Sequence, residues 1–206
     1  MSEQYSPHAA DWSDRAYADS TTYLRRRAEL VADLGPPLSP GEIVCDLACG
    51  DGGLGEFLLE RGVAYMGVDA NEEMVAAARA RLGNRAQVEH ADLNEFRPRD
   101  TVAATTLFRA LYYVQERGAF FGHVASYTDK KLVFDVSPRR YEIDALRAEL
   151  GVAGFARIEL RPFFVPQRVA LPRAAAATAR AAEGIRPLAR LVLRRRFTYV
   201  VSASRS

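Results

Sequence analysis

With 206 residues, 49% of them hydrophobic and 26% charged, the chain is long enough to bury one large core and too apolar for a disordered polymer. No apolar run approaches the roughly 18 residues that span a bilayer. The polar, acidic opening MSEQYSPHAADWSD is unlike a secretory leader, so a single cytoplasmic domain is expected. The net charge of +2 hides an asymmetry: residues 1–156 hold 17 Lys and Arg against 24 Asp and Glu, and residues 157–206 hold 11 Arg against 2 Glu. All the cations except Lys130 and Lys131 are arginines, a composition bias. Cys45 and Cys49 are the only cysteines, and without clustered histidines they cannot complete a four-ligand zinc site, so plain packing is expected of them.

In chain order, the spacing of Ala16, Tyr17, Tyr23, Leu24, Leu30, Val31 and Leu34 predicts a helix from Asp11 to Leu34, stopped by GPP. EIVCDLA (42–48) reads as a buried strand entering a glycine turn, and LGEFLLERG after it as a helix. AYMGVDA is a second strand. NEEMVAAARARLG then opens on an Asn N-cap with acidic first-turn residues and ends on Gly, all helix punctuation. AQVEHAD gives a third strand, VAATTLF (102–108) a fourth, RGAFFGHVASYT a helix and KLVFDVS (131–137) a fifth strand. A helix YEIDALRAELGVAG, a strand ARIELRPFFVP, an Ala/Arg-rich helical stretch from about Arg173 to Arg195 and a final strand RFTYVVSAS complete the chain. Seven strands alternate with helices and the first five are continuously apolar. That pattern means an α/β, doubly wound, mostly parallel sheet with both faces covered, in one domain. Residues 1–40 would form a helical cap, 41–165 the core, 166–195 a helical insertion or lid and 196–206 the last strand. Ligands are then expected at the carboxyl ends of the strands, where strand order reverses.

Residues 45–55, CDLACGDGGLG, carry Gly50, Gly52 and Gly55 as G-x-G-x-x-G after a strand, which alone suggests a dinucleotide fold. Charge argues otherwise. A dinucleotide would set its pyrophosphate on this turn, yet Asp46 precedes it and Asp51 sits in it. Like charges about 4 Å apart at an effective dielectric near 20 cost on the order of 4 kcal/mol. A cationic nucleoside reverses that sign.

Asp46-Leu47-Ala48-Cys49-Gly50-Asp51-Gly52 resembles the first motif, D-x-G-x-G-x-G, of the class I, Rossmann-like S-adenosylmethionine-dependent methyltransferases. Ala48 stands where that pattern has its first glycine, a mild departure if φ there is negative but not if it is positive. The resemblance covers residues 11–165. It implies the strand order 3-2-1-4-5-7-6 with the last strand antiparallel, and S-adenosylmethionine as cofactor. It further implies that Asp69, ending the second strand before Ala70, accepts from the ribose hydroxyls, that Asp92 accepts from the adenine amino group, and that the Leu93 backbone follows the ring edge. Phe108 and Arg109 would lie beside the methionine end. Tyr112 and Tyr113 match the stretch that lines the methyl-transfer site. Tyr17, Tyr23 and Arg25, Arg26 and Arg27 lie in the opening helix, which in related enzymes often covers the pocket. One of these arginines could pair the methionine carboxylate, while most of the three are expected to be solvated.

The expected function is methyl transfer to an oxygen or nitrogen of a small molecule. If the acceptor is a hydroxyl, Tyr112, Tyr113 and His8 are the candidate bases. The rival readings are an NAD(P)-dependent oxidoreductase, supported by G-x-G-x-x-G and Asp69, and a non-catalytic binding module. Tyr127 and Lys131 match Y-x-x-x-K, but the segment turns straight into a strand and cannot put both on one helix face. His8, His90 and His123 are scattered, so no metal is expected. In the tail, Arg186, Arg190 and Arg194 form a stripe beside Ile185, Leu188, Leu191 and Val192, with Pro187 interrupting the helix. Three readings stay open: a solvated face, a lid favouring an anionic or amphiphilic substrate, and transient membrane-surface contact through 173–196. No nucleic-acid partner is expected, because aromatic interleaving is absent.

Overall fold

The computed structural model describes residues 6–183, 185 and 198–205. After a short 3-10 helix at Ser6–Asp11 come α1 (Trp12–Ala16), α2 (Ser20–Asp33), β1 (Ile43–Leu47), α3 (Gly53–Glu60), β2 (Ala64–Asp69), α4 (Glu72–Leu82), β3 (Gln87–His90) and β4 (Val102–Leu107). The chain continues through a one-turn 3-10 helix at Leu111–Tyr113, then α5 (Arg117–Ala125), β5 (Thr128–Val136), α6 (Ile143–Val152), β6 (Arg157–Phe163), α7 (Arg173–Glu183) and β7 (Thr198–Ser204). The sheet runs β3-β2-β1-β4-β5-β7-β6. β1 to β5 are parallel, and β7 is antiparallel to both of its neighbours. Both faces are covered, as the continuous apolar runs required. Leu30, Leu58 and Leu82 pack on one side, Phe121, Leu146 and Leu150 on the other.

The opening helix is broken where one continuous helix was expected. Tyr17 is extended, and Asp19 restarts the chain as the N-cap of α2, its carboxylate accepting from Thr22 N–H at 2.9 Å. Side-chain capping competes with helix continuation here, and the run Asp19-Ser20-Thr21-Thr22 supplies it. β5 begins three residues earlier than its apolar run, because Thr128 pairs with Val102 across a bulge. Lys131 lies inside that strand, buried, with Nζ donating to the carbonyls of Ala32 and Leu34 at the end of α2, so it makes no pair with Tyr127. Of the Ala/Arg-rich stretch, Arg173–Glu183 is helical, and Arg186, Pro187, Leu188, Arg190, Leu191, Val192 and Arg194 lie outside the described residues. No described helix is long and apolar enough to cross a membrane.

The placement of α3 against the sheet depends on Gly55. A Cβ there would lie 2.8 Å from the Tyr65 ring, so the third glycine of the turn is required by close approach of helix and strand. That contact sets the depth at which the turn hangs over the end of β1.

Candidate functional site

β1 and β4 are parallel neighbours paired as far as Leu47 and Leu107, and the chain leaves β1 toward β2 on one side and β4 toward β5 on the other, so a crevice opens beyond their carboxyl ends. A cavity of about 660 Å³ fills it. The glycine turn and the ends of β2 and β3 form its floor; α1, Tyr17 and the 3-10 helix at 111–113 cover it. That size suits a nucleoside-sized ligand with room beside it.

The turn is wound by positive φ at Ala48 (57°), Gly50 (57°) and Gly52 (73°). Ala48 therefore adopts the backbone in which alanine is strained, at a cost of roughly 1 kcal/mol, and its departure from the glycine pattern is a stored strain rather than a mild replacement. Four of the turn's amide donors are taken up within the protein. Cys49 N–H donates to Val68 O at 2.9 Å, Gly50 N–H to Asp69 Oδ2 at 2.8 Å, Gly52 N–H to Cys49 O at 3.2 Å and Gly53 N–H to Asp51 Oδ1 at 3.3 Å. A pyrophosphate would need several of those donors.

The acids differ in what holds them. Asp46 is buried, accepting from Tyr65 Oη at 2.7 Å and Thr106 Oγ1 at 2.6 Å. Burial pushes its pKa up to about 6 despite those two bonds. Asp51 borders the cavity, but its charge is compensated: it accepts from Ser13 N–H (2.9 Å) and Oγ (2.6 Å) and pairs with Arg81 at 2.7 Å. The repulsion argument drawn from Asp51 is accordingly weaker than two free carboxylates would give. Its visible task is to tie the N-terminal segment to the turn. Gly52 does not border the cavity; it backs onto Ala78 and Leu82 of α4.

Asp69 ends β2 with one carboxylate oxygen on Gly50 N–H and the other on Asn71 N–H (2.9 Å), and burial raises its pKa. Asn71 caps α4, accepting from Met74 N–H at 2.8 Å, as its position before the helix predicted. Asp92, two residues past β3, accepts from Asn94 N–H at 2.7 Å, with Ala70 and Leu93 beside it on the same wall. His90 ends β3, its ring bonded to Ala70 O at 3.0 Å.

At the opposite wall the three consecutive arginines go to three destinations. Arg25 contacts Glu60 at 3.5 Å near the surface, and Arg26 pairs with Glu29 and the buried Glu183 at 2.8 and 2.6 Å. Arg27 is buried, so the expectation that most would be solvated is corrected. It pairs with Asp135 at 2.6 Å and lies over the rings of Tyr23 and Phe108 at 4.7 and 4.4 Å. Burial opposes its charge, yet Tyr23 and Asp135 outweigh that and raise its pKa. Burial likewise pushes Tyr23 up to about 12. The Arg27 Nε is buried with no hydrogen-bond partner among the described residues, and Arg27 borders the cavity. Tyr17 stacks on Tyr23 at 4.1 Å, and Arg109 lies over Tyr17 at 5.5 Å. Tyr112 and Tyr113 border the cavity with ring centroids 4.2 Å apart, Tyr112 half exposed. The side chain of His8 lies outside the described residues.

Sequence reasoning missed Trp12, Ser13, Leu24 and Met74 of the lining, and Asp135, Thr106 and Tyr65 behind it. Only Tyr65 had a local signal: a polar aromatic in an otherwise apolar buried strand needs a partner for its hydroxyl.

Comparison with known proteins gives one consistent picture. Residues 44–131 match the family model described as a methyltransferase domain. The chain is 30% identical over 115 residues to magnesium-protoporphyrin O-methyltransferase of Synechocystis sp., spanning 52% of this chain and 50% of that protein. It thus spans about half the length of the curated relatives it matches first. Among solved structures, it resembles magnesium protoporphyrin IX methyltransferase from Synechocystis PCC 6803 with bound S-adenosylmethionine (TM-score 0.63, 21% identity, 96% of this chain and 84% of that one). It also resembles a TehB-like S-adenosylmethionine-dependent methyltransferase from Corynebacterium glutamicum (TM-score 0.64, 17% identity, 99% of this chain and 98% of that one). At such identities the structural likeness speaks for the fold.

Proposed function

We propose that the chain, whose residues 44–131 match a methyltransferase domain and whose fold is that of S-adenosylmethionine-dependent methyltransferases, transfers the cofactor's methyl group to an oxygen or nitrogen of a small-molecule acceptor. One observation carries the reading: acids from the ends of three adjacent strands, Asp46, Asp69 and Asp92, border one cavity, and the amides of Cys49, Gly50, Gly52 and Gly53 in its glycine turn are already engaged. That floor favours a cationic nucleoside and offers little to a pyrophosphate.

S-Adenosylmethionine supplies an activated methyl on a sulfonium whose positive charge disperses as the acceptor approaches in line. The chain's own residues position and enclose. Asp69 takes the ribose hydroxyls, Asp92 and the Leu93 backbone take the adenine edge, and Asp46 faces the ammonium and sulfonium. Arg27, on the cavity lining, takes the methionine carboxylate. Ala48 and Gly50 let the backbone approach the ligand, and Tyr17, Phe108 and Tyr113 wall it from water. A hydroxyl acceptor would lose its proton to Tyr112, Tyr113 or His8; an amine needs no strong base.

Asp46 makes cofactor affinity depend on pH. Below about pH 6 its carboxyl is protonated in the free protein and no longer attracts a cation. Affinity for S-adenosylhomocysteine, which retains the ammonium, is therefore expected to fall by about three- to tenfold from pH 7 to pH 5. 5′-Methylthioadenosine, which lacks that group, should change little. The effect on folding has the opposite sense. A carboxyl raised in the folded state favours folding below its unfolded pKa, and that contribution is lost as pH rises through about 6. Calorimetric titrations across this pH range check both ligands.

The experiment that tests the whole reading is calorimetry with S-adenosylhomocysteine and with NAD. Binding of the first and not the second is expected; NAD binding without the first would restore the oxidoreductase.

A further inference from the structure

The cavity's charges are almost all accounted for within the protein. Asp46, Asp51, Asp69 and Asp92 each accept hydrogen bonds from protein donors, and Arg27 is paired with Asp135. Arg109, the other cation on the lining, differs. Among the described residues no carboxylate lies within ion-pair distance of its guanidinium, which rests over the Tyr17 ring instead.

The backbone at Arg109 has φ 55°, left-handed for a residue with a large side chain. That conformation costs on the order of 1–2 kcal/mol and persists only where the surroundings enforce it. Asp135 enforces it: its Oδ1 accepts the Arg109 N–H at 2.6 Å while its Oδ2 holds Arg27. The same carboxylate thus fixes both arginines, one paired and one without an acid. Arg109 carries this strain on the lining of the cavity, and strained backbone of this kind clusters at ligand-binding sites. Around it the surface is aromatic, from Tyr17 on one side and Tyr112 and Tyr113 three and four residues along the chain.

Resting on the methyltransferase reading above, we propose that Arg109 and Tyr17 form the recognition subsite for the methyl acceptor, and that the acceptor is a small planar molecule bearing a carboxylate. Arg109, braced on the Tyr17 ring, pairs that carboxylate while the rings of Tyr112 and Tyr113 cover the planar body. A carboxylate held by a guanidinium has its lone pairs engaged. It is the handle, and the methyl goes to a different oxygen or nitrogen of the same molecule. The division of labour follows from position: Arg27 borders the cavity near enough to Asp46, at the methionine end, to feel its charge. The methionine carboxylate is thereby provided for without Arg109.

The test uses 4-hydroxybenzoate and its neutral counterpart 4-hydroxybenzamide, titrated by NMR into the full chain saturated with S-adenosylhomocysteine. The wild type is expected to bind the carboxylate at least about tenfold tighter than the amide, as a charge-assisted pair requires. Arg109→Gln should bring the two within about twofold, and Arg109→Lys should keep part of the preference. Should the glutamine variant fail to fold, Arg109→Gly, which suits the left-handed backbone, is read in its place. Equal affinities in the wild type, or no binding of either compound, overturn the proposal. So does an Arg109→Gln variant that loses S-adenosylhomocysteine about tenfold while keeping 5′-methylthioadenosine, because the guanidinium would then serve the methionine carboxylate. A wild type that binds no S-adenosylhomocysteine contradicts the methyltransferase reading instead, so the two failures are distinguishable.

Discussion

Arg27→Leu is expected to lower the free energy of unfolding by about 3–5 kcal/mol, the cost of leaving a buried partner charge alone. The side chains of Arg27 and Asp135 are only 3% and 9% exposed, so water cannot take over the lost pairing. The leucine would fill much of the volume but would leave one Asp135 oxygen empty and three ring faces, Tyr23, Phe108 and Phe163, without their cation. Adding Asp135→Asn should recover part of the loss, since a neutral amide is cheaper to bury than a lone carboxylate and can still accept from Arg109 N–H. Urea denaturation of the single and double variants measures both effects. A loss below about 1 kcal/mol for Arg27→Leu would mean the pair is effectively solvated, as surface pairs are.

The second large effect concerns binding. Asp69→Ala should weaken S-adenosylhomocysteine by at least tenfold, and by about a hundredfold if both ribose hydroxyls bond to the carboxylate, given about 1.5–3 kcal/mol for a hydrogen bond to a charged group. Part of the loss is indirect, because Asp69 also pins the Gly50 and Asn71 amides and so shapes the turn. Asp69→Asn separates the contributions: it keeps an acceptor for one amide and removes the charge. An intermediate affinity is expected from it by calorimetry, with unfolding midpoints recorded for each variant. Unchanged affinity in the alanine variant would remove Asp69 from the site.

Much of the fold was legible because its signals are local. Apolar runs at β1, β2 and β4, the glycine punctuation between them and the Asn71 cap each sit within a few residues of what they determine. The acids at 46, 69 and 92 were legible for the same reason, since each ends or follows its own strand. What stayed hidden depends on distant partners. Nothing near residue 27 says that Asp135, 108 positions on, will bury one arginine of three. Nothing near Asp51 says that Ser13 and Arg81 will claim its charge. The left-handed backbones at Ala48 and Arg109 were equally silent, because neither residue type advertises positive φ; only surrounding structure imposes it. The break at Tyr17–Asp19 was locally readable from its Asp-Ser-Thr-Thr run, but the apolar spacing on either side masked it.

The central claim is that this cavity is shaped for an adenosyl sulfonium compound. A crystal structure of the protein with S-adenosylhomocysteine tests it most directly. The ribose hydroxyls are expected within about 3 Å of the Asp69 carboxylate, with the adenine against Asp92 and Leu93 and the amino-acid end between Asp46 and Arg27. Crystals that exclude S-adenosylhomocysteine but admit NAD, with its pyrophosphate on residues 48–53, would contradict the account.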